Sequence, residues 1–152
     1  MLSVRENLIE GLKENTGLQV YYYMPPANVA VSMPLLVLEE VDNSDHFYRY
    51  NEETDTEIEV ANVTYEISIY CVNPQDLFIF MPIIDTYMKR IGFRKTWTSG
   101  DSYVDPLYCK TLRFTGKIQQ LQDGTYRICK WPRKDDIQWL KQIKVWFLKG
   151  LL

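Results

Sequence analysis

The longest alternating stretch of the sequence, residues 54–72, predicts one long β-strand and so limits what the chain can fold into. Apolar residues occupy every second position in its later part: Val63, Tyr65, Ile67, Ile69 and Cys71. This is the period of a strand with one buried face. Ile58 and Val60 lie in the opposite phase, so the pattern slips by one residue near Ala61. The slip predicts a β-bulge or a break between two strands.

Two helices are predicted from apolar spacing and end signals. The first covers residues 4–15 and ends before Gly17, and the second begins at Asn73-Pro74 and ends at Gly92. Pro82 lies inside the second helix and should kink it or split it in two. The apolar residues expected to face inward from this helix are Leu77, Phe78, Met81, Ile84, Met88 and Ile91.

The remaining strands are shorter. They are predicted over residues 18–24, 35–41, 93–98, 108–118 and 125–130, the last after a hairpin turn at Asp123-Gly124. Residues 42–53 and 99–105 have no clear period and are predicted as surface loops. The order favours an α+β fold: a mixed or antiparallel sheet with two main helices packed on one face, plus a short C-terminal helix.

The length fits one domain. Residues 1–130 are expected to form a single α+β domain, and residues 131–152 an amphipathic C-terminal extension with lysines among its apolar residues.

Side chains that enzymes usually recruit are scarce. The single histidine, His46, lies in a predicted loop without partners for a triad or a zinc site. The cysteines Cys71, Cys109 and Cys129 are odd in number and widely spaced, which fits a reducing, cytoplasmic compartment and no disulfide framework. No phosphate-binding loop or nucleophile motif occurs. We therefore expect no enzyme activity and no catalytic, metal-binding or cofactor-binding residues.

The charge is divided unevenly along the chain. Residues 1–88 contain 3 basic and 15 acidic residues, a net charge of −12, whereas residues 89–152 contain 14 basic and 5 acidic residues, a net charge of +9. The two halves can neutralise each other within one fold. Alternatively, an acidic patch of one copy meets a basic patch of the next, which is the complementarity that a head-to-tail ring needs.

Acidic residues alternate along the start of the long strand, at Glu53, Asp55, Glu57 and Glu59. A straight strand does not wrap these carboxylates around an ion, so a solvated or interface-facing stripe is the favoured interpretation.

The basic half leaves two other interpretations open. Its lysines and arginines lie among Phe93, Trp97, Tyr103 and Tyr108, an arrangement that can stack on bases and contact phosphates. The pI near 5.2 argues against a dedicated nucleic-acid binder. Residues 135–152 could lie on a membrane surface, but docking on a neighbouring subunit gives the same pattern.

Several segments in order carry a family resemblance. They are Thr16-Gly17-Leu18, YYYMPP at 21–26, PLLVLEEVDN at 34–43, TYEISIYC at 64–71, Ile91-Gly92-Phe93 and GDSYVDPLYCKTLRFTGKI at 100–118. Across residues 3–118, and into the hairpin, the chain resembles the tail-completion, or tail-terminator, proteins of long-tailed bacteriophages. None of these segments is catalytic, and the resemblance rests on their order.

The resemblance implies a structural virion protein, assembled in the host cytoplasm, that forms a hexameric ring at the head-proximal end of the tail tube. Its implied partners are other copies of itself, the tail tube protein and a head-completion or neck protein, with DNA passing through the lumen and no membrane. Expected interface residues are Asp45, Tyr48, Tyr50, Glu53, Asp55, Glu57, Glu59, Asp101, Tyr103, Lys110 and Arg113. The alternatives are a head-completion or tail-tube protein of the same virion, and a small DNA- or membrane-associated regulatory module.

Overall fold

The computed structural model describes residues 4–24, 32–51, 56–120 and 126–128, and these form an α+β fold with two helices and a seven-stranded sheet. In chain order the elements are α1 (Arg5–Thr16), β1 (Gln19–Tyr22), β2 (Leu35–Asn51), β3 (Thr56–Cys71), α2 (Gln75–Ile91), β4 (Arg94–Thr98), β5 (Ser102–Val104), β6 (Leu107–Gln120) and β7 (Tyr126–Ile128). The predicted hairpin turn at Asp123-Gly124 and the predicted helix within residues 131–152 lie outside the described residues.

Both helices end at a glycine, as predicted. After α1, Gly17 adopts φ +70° and its amide donates a hydrogen bond of 2.8 Å to the carbonyl oxygen of Lys13. This left-handed conformation is strained for residues with a Cβ, which is why glycine is favoured there. Gly92 ends α2 with φ +113°.

Of the two outcomes predicted for Pro82, a kink or a split of the second helix, the split does not occur, because α2 continues through Pro82 from Gln75 to Ile91. Proline removes the amide that would bond to the carbonyl oxygen of Phe78. Phe78 lies on the exposed side of the helix, with 68% of its surface accessible, so water can satisfy that oxygen.

The sheet is mixed. Its strands follow the order β1-β2-β3-β6-β4, and β5 and β7 also pair with β6. β1 runs parallel to the start of β2, with Gln19 opposite Leu35, whereas all other pairs are antiparallel. The α+β class and the mixed sheet are therefore confirmed.

The long strand β3 forms the centre of this sheet. It pairs with β6 without interruption from Val60↔Gln119 to Cys71↔Tyr108. The predicted bulge near Ala61 is therefore not in β3. It lies in the partner strand, where the register of β2 shifts between Ser44 and Phe47. Val60 and Ala61 are both buried, on opposite faces of the sheet, and this explains the apparent slip in the apolar pattern.

One core cluster joins both helices to the sheet. Its fully buried members include Leu8 and Leu12 of α1, Ile84 and Met88 of α2, and alternate residues of β3 and β6: Val63, Tyr65, Ile67, Ile69, Cys71, Leu112 and Phe114. The ring of Tyr65 meets that of Phe93 edge-on, with centroids 5.9 Å apart. Each such side chain stabilises the fold by roughly 1.5–3 kcal/mol through burial.

Three further expectations need correction. Residues 42–51 are not a loop but the second half of β2, which reaches Asn51. The loop predicted at residues 99–105 contains β5, which pairs with the start of β6. Phe78 does not face the core, since it is 68% exposed while its neighbour Leu77 is 3% exposed.

Candidate subunit interface

Within the described residues, strands β2 and β3 extend beyond the pairing of β3 with β6 as a two-stranded ribbon. They remain paired as far as Asn51↔Thr56, whereas the pairing of β3 with β6 ends at Val60↔Gln119. We call the projecting part, Tyr48–Asn51 with Thr56–Glu59, the arm. Four strand residues at about 3.4 Å each give it a length of about 14 Å.

The register of the arm brings together four of the expected interface residues. Tyr48 lies opposite Glu59 and Tyr50 lies opposite Glu57. Directly opposed residues of an antiparallel pair share one face, and so do alternate residues of one strand. The backbone register therefore brings two acidic and two aromatic residues into two directly opposed positions of the arm.

The other acidic candidates of this region do not all fall on described positions. Asp45 lies in β2 within the register shift between Ser44 and Phe47. Glu53 and Asp55 lie outside the described residues, so their place in the acidic stripe stays a prediction.

The sheet face opposite the core cluster, here called the outer face, is built from cross-strand pairs of β3 and β6. The hydroxyl oxygens of Thr64 and Thr115 lie 3.0 Å apart. Those of Ser68 and Thr111 lie 2.8 Å apart. Between them, Arg113 donates to Oε1 of Glu66 from Nε at 3.0 Å and from Nη2 at 2.5 Å. These interactions order the outer face and set the position of Arg113.

Arg113 also lies over an aromatic ring. Its guanidinium carbon is 4.9 Å from the ring centroid of Trp97, which is 46% exposed. Trp97 lies opposite Arg113 across β4 and β6, and Arg94 lies opposite Thr115 two positions further along β6. A guanidinium within about 6 Å of an indole ring centroid makes a favourable cation–π interaction.

The same face carries a third cation. Lys117 lies opposite Asn62 in the register of β6 and β3, and both Lys117 and Arg94 are exposed. We call Arg94, Trp97, Arg113 and Lys117 the basic patch. Neither β4 nor β6 contains an acidic residue, and the carboxylate that pairs with Arg113, that of Glu66, comes from β3.

The remaining three candidates, Asp101, Tyr103 and Lys110, form a separate group at β5 and the start of β6. Nζ of Lys110 is 2.7 Å from Oδ1 of Asp101. Tyr103 is 56% exposed, its hydroxyl donates to Oδ1 of Asp105 at 2.7 Å, and its ring lies 4.7 Å from that of Tyr108. The hydrogen bond to Asp105 raises the pKa of the Tyr103 phenol.

These distances change the expected role of the second-half cations. Lys110 and Arg113 were expected to oppose the acidic stripe, but each already pairs with a carboxylate of its own chain. Arg94, Trp97 and Lys117 were missing from the expected interface. For Lys117 the sequence contains a usable signal. Arg113 and Lys117 are separated by an even number of positions along β6, so the strand period places both on the same, solvent-facing side of that strand.

The described residues of the basic half, 89–120 and 126–128, do not form one nucleic-acid surface. Phe93 is 2% exposed and cannot stack on a base. Lys95 lies on the core-cluster side of the sheet, where its Nζ is 3.5 Å from Oδ1 of Asp85. The aromatic and basic residues that the sequence places side by side are therefore divided between the two faces of the sheet.

Groups suited to chemistry are scarce among the described residues. No cluster of three or more potential metal ligands occurs within them. Cys71 is fully buried, and burial raises the pKa of its thiol, which disfavours the nucleophilic thiolate. The arrangement in these parts of the chain is suited to binding, since it presents aromatic rings, paired hydroxyls and separated charges.

The comparisons with known proteins leave the family open. Among the residues with a described structure, no helix is long and apolar enough to cross a membrane. No protein-family model matches the chain, and no curated protein matches it.

Proposed function

We propose that the chain is a structural virion protein, a tail terminator that forms a ring at the head-proximal end of a phage tail tube and joins the tail to the head or neck. The ring is expected to be hexameric. The observation that carries the proposal is the arm, because within the described residues it is paired only as two strands, and an isolated two-stranded ribbon is at best marginally stable in water. A ribbon that projects from its sheet gains stability from a partner.

The proposed packing of the helices against the sheet also supports a role in contacts between subunits. Both helices pack on one face of the sheet, and an additional short helix within residues 131–152 braces the ring or contacts the neck. The packing of both helices on one face is supported by the core cluster that α1 and α2 share with alternate residues of β3 and β6. Among the described residues, neither helix packs on the outer face.

The proposed partners follow from position in the virion. Copies of the same chain close the ring, the tail tube protein lies below it, and a head-completion or neck protein lies above it. DNA passes through the lumen without sequence-specific binding, because the acidic half of the chain repels phosphates. The protein needs no catalytic group or cofactor for this work.

Negative-stain electron microscopy of the purified protein, alone and with tail tubes, tests the proposal. We expect closed rings of uniform subunit number that also cap one end of each tube. A tail-tube protein would instead polymerise into long hollow rods. A protein that forms neither rings nor caps at any concentration, while remaining folded, contradicts the proposal.

A further inference from the structure

We infer that residues 137–149 dock on the solvent side of the helix pair of their own copy, over Ile79 and Ile83 of α2 and Glu10 and Glu14 of α1. We call these four residues the helix surface. Residues 137–149 lie outside the described residues and are considered by their sequence alone. The inference goes beyond the proposed function, which leaves open what this segment contacts within one copy, and it does not depend on ring formation.

The two helices run side by side in the same direction. Near their C-terminal ends, Nη2 of Arg90 donates to Oδ1 of Asn15 at 3.2 Å. About one turn earlier, Gly11 lies against the hydroxyl and the ring of Tyr87. α1 and α2 therefore share one solvent side along this part of their length.

The apolar part of the helix surface comes from α2. Ile83 and Ile79 precede Tyr87 by four and eight residues, so they continue its row toward the start of the helix. Ile83 is partly buried, and Ile79 is 54% exposed. Phe78 lies on the other side of α2, because it shares the side of Asp85, whose carboxylate pairs with a lysine of β4.

The acidic part of the helix surface comes from α1. Glu14 follows Gly11 by three residues and Glu10 precedes Glu14 by four, so both lie on the side of α1 nearest to α2 and solvent, and both are exposed. Burial is the main cause that raises the pKa of the Tyr87 phenol, and the nearby Glu14 carboxylate adds to it. Among the exposed residues of α1, three are glutamates and Lys13 is the one lysine.

The composition of the C-terminal segment complements this surface. Eight of the thirteen residues 137–149 are apolar, so the segment gains stability when another surface covers it. Its charged residues are Lys141, Lys144 and Lys149, and it contains no acidic residue. Lysines that meet the glutamates of α1 would fix the orientation of the segment on the helix pair.

The place where the described chain ends brings the segment within reach. Ile128 of β7 lies opposite Ile118 of β6, and it packs against the core cluster, on the side of the sheet that carries the helices. The strand that follows α2, β4, begins three residues away along β6, at Thr115, which is about 10 Å. Residues 129–136 can span up to about 27 Å. So short a connection gives a high effective concentration, which favours docking on the same copy over docking on a neighbour.

Zero-length cross-linking with a carbodiimide tests the contact directly. The reagent joins a carboxylate to an amine that touches it, so we expect peptides in which Glu10 or Glu14 is joined to Lys141 or Lys144. The full chain is used, at a concentration where it is monomeric, as an equal mixture of isotopically labelled and unlabelled protein. The two halves of each joined peptide should carry the same isotope, because both come from one copy.

Amide hydrogen exchange measures the apolar contribution. Ile79→Ser should make exchange within residues 137–149 about tenfold faster, because docking then buries less apolar surface. Phe78→Ser is the matched control, since Phe78 is adjacent and 68% exposed but lies on the other side of α2. That variant should exchange at the rate of the unmodified protein. Circular dichroism checks that both variants are folded.

Charge reversal with rescue measures the electrostatic contribution. Lys141→Glu with Lys144→Glu should also make exchange within residues 137–149 about tenfold faster, because like charges then meet. Glu10→Lys with Glu14→Lys should have the same effect. A chain that carries all four substitutions should recover slow exchange, and this recovery separates a direct contact from a general loss of structure.

Three results would overturn the inference. The first is the absence of these cross-linked peptides, or peptides that combine both isotopes and so assign the segment to a neighbouring copy. The second is equal acceleration of exchange by Ile79→Ser and Phe78→Ser. The third is protection of residues 137–149 that occurs only with vesicles of anionic lipid, which assigns the segment to a membrane surface. Each measurement is made on single copies, so its failure leaves the ring proposal to its own test.

Discussion

Gly11 of α1 and Tyr87 of α2 lie against each other so closely that a side chain on residue 11 has no space. A Cβ at this position would overlap both the hydroxyl oxygen and the ring of Tyr87. Tyr87 is itself 8% exposed and belongs to the core cluster. The glycine therefore sets how closely the two helices approach.

Replacement of this glycine should destabilise the fold although alanine is the better helix former. In an open helix Gly→Ala gains about 1 kcal/mol, but overpacking here should cost about 1–3 kcal/mol net. Urea unfolding of Gly11→Ala measures the change. Gly100→Ala is the control, because a Cβ there meets no atom within 4 Å. A midpoint for Gly11→Ala at or above that of the unmodified protein contradicts this packing.

The Tyr65 hydroxyl makes a hydrogen bond at the edge of the core that should be measurable. It donates to Oε1 of Glu40 at 3.2 Å, and the ring is fully buried. Tyr65→Phe should reduce the free energy of unfolding by about 1 kcal/mol. The control is Tyr103→Phe, whose hydrogen bond to Asp105 is exposed and should contribute little to stability. Equal effects of the two substitutions would be evidence against a special role for the Glu40 contact.

Adjacent apolar residues at the start of α2 should respond very differently to truncation. Leu77 is 3% exposed and Phe78 is 68% exposed. Leu77→Ala should cost about 2–5 kcal/mol through lost burial and a cavity, whereas Phe78→Ala should stay within about 0.5 kcal/mol. Thermal or urea unfolding of the two variants, compared under conditions where the protein is monomeric, checks the difference. A larger loss for Phe78→Ala would reverse the assigned inner face of α2.

The Cys71 thiol should be nearly inert in the folded protein. Burial raises its pKa, so at a given pH less of the reactive thiolate is present than in the unfolded chain, and access is blocked as well. Alkylation by iodoacetamide, followed at Cys71 by peptide mass spectrometry, should be at least about tenfold slower in buffer than in urea. Because the folded pKa is raised, the folded rate should begin to rise at a higher pH than the unfolded rate. Equal rates in both states would contradict the burial.

The parts of the fold that the sequence predicts well depend on short-range patterns. The alternation from Val63 to Cys71 predicts the buried face of β3, and Gly17 predicts the end of α1 through its own backbone preference. Both signals are local, because strand period and left-handed glycine need no knowledge of distant residues.

The sequence pattern does not predict the second half of β2, because the register of this strand is irregular. Its register shifts twice against β3, between Glu40 and Asp42 and between Ser44 and Phe47. Each shift adds a residue to β2 and moves the following side chains to the other face, so no alternation survives across residues 42–51. Residues 42–51 therefore have the sequence pattern of a loop, although their backbone is paired with β3.

The candidate interface depends on contacts between residues far apart in the chain. The arm needs the register that brings Tyr48 opposite Glu59, and the basic patch needs β4 beside β6. Glu66 and Arg113 are 47 residues apart, so no short-range pattern in the sequence predicts their ion pair. The residue types were available from the sequence, but their division between the two faces of the sheet was not.

The edge of β6 that lies away from β3 has a consequence for the solubility of the protein at high concentration. Three short strands cover it in succession: β5 with 3 residues, β4 with 5 and β7 with 3. A long continuous edge strand is a template on which other chains can add and grow into fibres. An edge divided into short pieces offers only a few backbone groups in any one place. Addition of other chains along this edge of the sheet is therefore disfavoured, even at high protein concentration.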